Sequence, residues 1–186
     1  INMTLSTEQN GGVGAEDAMA SGQVDLAGAW YIHTVDFGSK GKAVVDLVQL
    51  SGAPGERIMC SSKSGVKSAA DFKGKTMGVT DLGSGTDELT QFLASENGIS
   101  RSQYTTLAVG AGATAIAAIQ SGTADCVMTT QPTVGALETQ KLAKTAVHLA
   151  TAGGARKAPG GGRAPCGRRG GRRACRRQPA PRRSRR

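Results

Sequence analysis

The chain has 186 residues, 38% hydrophobic and 3% aromatic, with 27 Gly and a formal charge of +9 from 23 Lys+Arg and 14 Asp+Glu. Such a charge suggests a nucleic-acid partner but has first to be located along the chain: residues 156–186 hold twelve Arg and Lys157 with no acid, leaving 10 basic and 14 acidic residues, net −4, in 1–155. No run of 18 apolar residues occurs, so no segment reads as a membrane-spanning helix.

In chain order, a helix closed at Ser21-Gly22 leads to an expected buried strand, Val24–Gly28, and Ala43–Leu50 and Arg57–Ser61 read as two more. Ser68-Ala-Ala-Asp71 fits a capping box that opens a short helix, and Gly74 releases the chain into a strand at Thr76–Thr80. Leu89, Phe92 and Leu93 form an apolar stripe on a helix that starts near Ser84 or Thr86 and stops at Gly98. Then come a strand at Thr105–Val109, a helix at Ala113–Gln120, a strand at Ala124–Thr129, a helix at Pro132–Lys141 and a strand at Thr145–Ala150. This alternation predicts a mainly parallel sheet with helices on both faces.

An internal repeat supports two similar units. Ala18-Met-Ala-Ser-Gly-Gln-Val-Asp25 and Ala118-Ile-Gln-Ser-Gly-Thr-Ala-Asp125 share A-x-x-S-G-x-x-D at an offset of 100 residues, and Gly12 aligns with Gly112. The 31-residue tail from Arg156 contains 26 Arg, Ala, Pro or Gly and no Leu, Ile, Val, Phe, Tyr or Trp, so the expectation is disorder. Its composition can be written in G/C-rich codons, which fits a reading-frame shift as its origin. Ile1 starts without the charged and apolar regions of a signal peptide, so the sequence is read as either cytosolic or lacking its true beginning.

Gly22–Ala27, Ser51–Cys60, Ser68–Thr80, Leu82-Gly-Ser-Gly-Thr86, Ser121–Asp125 and Gln131-Pro132, of which D-x-K-G-K-x-x-G-V-T followed by G-S-x-T is the most specific, together resemble the substrate-binding proteins of ABC transporters of the nitrate/sulfonate/taurine type. The resemblance implies a two-lobed periplasmic-binding-protein-like (type II) α/β fold: an incomplete first lobe over 1–52, a crossover over 53–65, a second lobe over 66–152 and a disordered tail over 153–186. It further implies a non-catalytic, monomeric, periplasmic or extracellular protein that captures a small anionic organic solute, such as a sulfonate, nitrate-like oxyanion or carboxylate, and passes it to an ABC permease. No cofactor, metal or specific nucleic acid is expected.

Ligands of open parallel sheets bind beyond the carboxyl ends of the strands, where helix N-termini favour anions. Three segments meet that requirement: Gly83, Ser84, Gly85 and Thr86 after one strand, Thr129, Thr130 and Gln131 after another, and Trp30 and Tyr31 after the first-lobe strand. Each also has a structural explanation, as a helix cap or as core packing. Arg57 can pair with an anionic ligand or be merely solvated.

Catalysis finds little support. His33 and His148 lie 115 positions apart and in no metal-ligand spacing. Cys60 and Cys126 read as small buried hydrophobes on strands, while Cys166 and Cys175 fall in the tail; four cysteines permit disulfides and establish none. Asp87-Glu88 suits a helix start. The competing readings are non-specific nucleic-acid binding through the tail, an enzyme resembling the thiamine-pyrimidine synthases, whose cysteine-rich motif is not visible, and the effector domain of a transcription regulator, with no helix-turn-helix visible.

Overall fold

The computed structural model describes residues 2–8, 10–52 and 54–151; the tail, with Cys166 and Cys175, lies outside the described residues. Two helices come first, α1 (Gly11–Ala20) and α2 (Tyr31–Ser39). A strand β1 (Arg57–Ser61) follows, then a single 3₁₀ turn at Ala69–Asp71, β2 (Thr76–Val79) and α3 (Gly85–Glu96). After a second 3₁₀ turn come β3 (Thr105–Ala108), α4 (Ala113–Ser121), β4 (Cys126–Thr129), α5 (Thr133–Thr139) and β5 (Ala143–His148).

Local chemistry explains many of these boundaries. Asp71 accepts from the Ser68 backbone N–H at 2.9 Å, completing the expected box, and an analogous Ser100/Gln103 box opens the second 3₁₀ turn. The repeat marks two matching helix ends. Gly22 (φ 77) and Gly122 (φ 75) take the left-handed conformation that lets N–H groups beyond the helix reach back to its last carbonyls. After Gly122, Asp125 fixes the sheet: its carboxylate accepts the Thr76 N–H at 2.9 Å.

The sheet has the order β3-β2-β4-β1-β5. β2 runs parallel to β3 and β4, whereas β1 is antiparallel to both β4 and β5. The sheet is therefore mixed rather than mainly parallel. Each of α3, α4 and α5 returns the chain for the next strand to run in the same direction, but no α-helix separates β1 from β2, and β1 alone is reversed.

Alternation along β1 splits the core into two layers. Ile58 and Cys60 face α3 with Phe72, Met77, Leu89, Leu93 and Leu149, while Met59 faces α4 and α5 with Ile119, Val127, Val134 and Leu137. Burying each large apolar side chain contributes about 1.5–3 kcal/mol. Helices cover both faces, as expected.

The first fifty residues depart from expectation. Val24–Gly28 and Ala43–Leu50 form no strands, because a strand needs a hydrogen-bonded neighbour and neither segment has one among the described residues. Leu26, Val45, Leu47, Val48 and Leu50 are accordingly exposed. The helix expected over Pro132–Lys141 is shorter, with Pro132 at its N-cap after a cis peptide bond. Cys60 and Cys126 are buried as expected but are not independent hydrophobes. The β1–β4 register sets them opposite each other and they form a disulfide, with Cα atoms 4.0 Å apart. Among the described residues no helix is long and apolar enough to cross a membrane.

Candidate functional site at the carboxyl edge of the sheet

The parallel strands β2, β3 and β4 end at one edge of the sheet, where Thr80 accepts from the Gly110 N–H through its carbonyl. Register places Arg57, the first residue of β1, beside Thr129 and His148 at that same edge. The loop after β2 reaches α3 through a ring of three hydroxyls. Thr80 donates to Ser84 at 2.9 Å, Thr80 and Thr86 lie 2.9 Å apart, and Ser84 and Thr86 lie 2.8 Å apart.

This ring also fastens the backbone. Thr86 Oγ1 accepts the Thr80 N–H at 2.9 Å, and Ser84 Oγ caps α3 by accepting from the Asp87 N–H at 3.4 Å. Gly83 takes φ +76, a conformation suited to glycine, and donates its N–H to the buried Asp87 carboxylate at 3.0 Å. The positive end of α3 therefore already faces an acid.

Residues from the first fifty meet this loop at two points. Trp30, the N-cap of α2, packs on Gly85 so closely that a Cβ added there would sit 3.0 Å from its ring atom Cε3. Gly11, at the start of α1, lies against Thr80, whose hydroxyl would be 3.2 Å from an added Cβ. α1 receives no side-chain cap from Asn10, and a Glu8 carboxylate oxygen lies 2.7 Å from the position of a Gly14 Cβ.

Of the nine residues proposed from sequence, Trp30, Gly83, Ser84, Gly85 and Thr86 thus converge. Tyr31 does not join them: it is 68% exposed at the start of α2. Thr129 is buried at the end of β4, and continuing the Gly78↔Val127 register by two residues sets it beside Thr80. Thr130 is exposed, and the Gln131 side chain accepts from the Gly135 N–H at 3.1 Å as a cap for α5. Arg57 pairs with Glu138 at 3.6 Å instead of standing free.

Neither Thr80, the end of the expected Thr76–Thr80 strand, nor Gly11 stands among the nine candidate residues. The Gly12/Gly112 alignment marked the start of α1, but nothing local linked it to Thr80. Glu56, just before β1, was also missed; burial raises its pKa, and its Oε2 atom is buried without a partner. Farther off, Glu16 of α1 is buried, and desolvation followed by repulsion from Asp46, Asp36 and Asp17 raises its pKa to about 7. Burial lowers the pKa of His33 on α2, although Asp36 opposes this. No group of three or more His, Cys, Asp or Glu among the described residues is placed to hold a metal.

A groove of about 750 Å³ lies away from this edge, between the end of α1 and the segments that carry Leu26, Val45 and Leu47. Its walls combine apolar residues of those segments with Asp17, Ser21, Asp25 and Lys42 and do not include the hydroxyl ring.

None of the curated proteins matches the chain. A solved structure from Bordetella bronchiseptica RB50 shares 33% identity at a TM-score of 0.67, covering 75% of this chain and 44% of that one. The alkanesulfonate-binding protein SsuA from Xanthomonas axonopodis pv. citri, bound to MOPS, shares 27% identity at a TM-score of 0.61, covering 75% and 48%. The periplasmic nitrate-binding protein NrtA from Synechocystis PCC 6803 shares the fold at 15% identity and a TM-score of 0.55, covering 75% and 42%. The chain thus spans less than half the length of these relatives. The family model described as NMT1/THI5 like matches residues 2–155, and the chain belongs to that family.

Proposed function

We propose that the chain is part of a solute-binding protein of an ABC importer, taking a small organic anion or oxyanion at the carboxyl edge of the sheet. The observation that supports this is the convergence of the Thr80–Ser84–Thr86 hydroxyls, the start of α1 and Trp30 at that edge. In this reading residues 1–52 belong to a first lobe, 53–65 to a crossover and 66–152 to a second lobe. Closure is a hinge motion around the anion.

The hydroxyl ring gives the site a mechanism. With each hydroxyl turned to its neighbour, an incoming anion recruits a proton by rotating one O–H out of the ring. A neutral hydrogen bond worth about 1 kcal/mol net is exchanged for a charge-assisted one worth about 1.5–3 kcal/mol. Thr80 and Thr86 are the donors, Ser84 remains the α3 cap, and Trp30 covers the ligand from the first lobe. The similarity to the alkanesulfonate-binding protein SsuA agrees with this ligand chemistry. A periplasmic location, a monomeric state and a membrane permease as partner belong to the same proposal.

Isothermal titration against ethanesulfonate, MOPS, nitrate and benzoate tests it. A saturable signal with at least one, weakened tenfold or more by Thr80→Val, is expected. Absence of heat with all four rejects the reading.

A further inference from the structure

We propose that Gly85 sets how closely the two lobes approach, by leaving Trp30 the space that a Cβ would fill. This rests on the two-lobe reading above. Three glycines stand at the junction, and their reasons differ. Gly11 (φ +68) and Gly83 (φ +76) hold left-handed backbone conformations that favour glycine whatever surrounds them. Gly85 does not; it is the first residue of α3 with an ordinary helical sign of φ, a position open to other residues.

What singles out Gly85 is its neighbour. A Cβ built there lies 3.0 Å from Trp30 Cε3 and 3.4 Å from both Cβ and Cδ2, so alanine requires a shift of a few tenths of an ångström. A valine extends about 1.5 Å further, the length of one C–C bond, and acts as a wedge.

Trp30 is poorly placed to absorb that wedge alone. It is the N-cap of α2, and its carbonyl accepts the His33 N–H at 2.9 Å. The His33 ring in turn packs on Gly12 of α1, with Cδ2 2.8 Å from the position of an added Cβ. Pressure on Trp30 therefore passes through α2 and His33 to the start of α1, where Gly11 meets Thr80. Gly85 acts as a positioning residue, and the width of the cleft follows from its missing side chain.

The experiment uses the full chain with Gly85→Ala, Gly85→Val, Trp30→Ala and the Trp30→Ala/Gly85→Val pair. Trp30 is the chain's one tryptophan, so acrylamide quenching of its fluorescence reports the contact directly. Gly85→Val is expected to raise the quenching constant at least twofold and to speed amide exchange at residues 11–14 at least tenfold. Protection in β1 and β4 stays unchanged. Gly85→Ala, which favours the helix, gives the same changes at smaller amplitude and carries the test if the valine variant does not fold. With Trp30 replaced by Ala, adding Gly85→Val is expected to change exchange at 11–14 no further. The proposal is overturned if exchange there is unaffected by both Gly85 variants, or if Gly85→Val has its full effect without Trp30. MOPS titration of the same variants is read separately: failure of the wild type to bind counts against the solute-binding reading, while quenching and exchange decide the role of Gly85.

Discussion

Replacing both Cys60 and Cys126 by alanine is expected to lower stability by about 4 kcal/mol. The disulfide spans a sequence separation of 66. Closing a loop of that length removes about 14–15 cal/mol/K from the unfolded chain, or about 4 kcal/mol at 25 °C in the chain-entropy treatment. It joins β1 to β4 inside the sheet, so unfolding releases the whole intervening segment, including β2, α3, β3 and α4. With a urea dependence of about 2 kcal/mol per molar, the midpoint should fall by about 2 M. Circular dichroism melts in urea, comparing the oxidised chain with Cys60→Ala/Cys126→Ala, measure it, while peptide mapping of the oxidised chain assigns the bond. A midpoint change below about 0.5 M refutes the entropic reasoning, and free thiols at both positions refute the pairing itself.

Other perturbations separate electrostatic from geometric contributions. Glu16 rises from 4.5 to about 7 on folding, so the folded state holds more protons than the unfolded one across that interval. Its contribution to stability is full below the unfolded value and is lost as pH rises through about 7. Glu16→Gln should flatten that dependence and raise stability at pH 8 by at most about 3 kcal/mol; an unchanged pH profile of urea midpoints would contradict the burial argument. Asp125→Ala leaves the Thr76 N–H without its carboxylate partner, and thermal unfolding should show a loss of about 1–2 kcal/mol. Ser84→Ala removes the α3 cap together with one vertex of the hydroxyl ring, for about 1–2 kcal/mol, and amide exchange at Asp87 should accelerate.

What was legible in the sequence was local. Ser68 with Asp71, Ser84 at the α3 cap and the two glycine-closed helix ends depend on residues a few positions apart, and the structure places them where local chemistry does. Pairing is not local. Nothing within Val24–Gly28 or Ala43–Leu50 reveals that each lacks a strand partner among the described residues, because apolar or β-branched composition describes what a strand would bury and not what it would bond. The reversal of β1 and the Cys60–Cys126 register are decided by strands far away in the chain. The candidate site followed the same division: Gly83, Ser84, Gly85 and Thr86 were visible as a loop, whereas the contacts of Gly85 with Trp30 and of Thr80 with Gly11 cross more than fifty positions. α2 was also unforeseen, since Tyr-Ile-His-Thr-Val has more strand than helix preference.

Charge sharpens what the site must do. Within 1–155 the excess of acid belongs wholly to the first fifty residues, which hold six acids and two lysines, while residues 51–155 balance eight against eight. Burial, reinforced by repulsion from Asp46, Asp36 and Asp17, pushes the Glu16 pKa there up to about 7. Glu8 lies beside the first turn of α1, and Asp87 occupies the positive end of α3. An anion approaching this junction therefore meets an acid beside the first turn of each of α1 and α3. In the proposed function its binding energy comes from donors within hydrogen-bond reach, the rotatable hydroxyls of Thr80 and Thr86, and the spacing proposed to be set by Gly85 against Trp30 then governs capture.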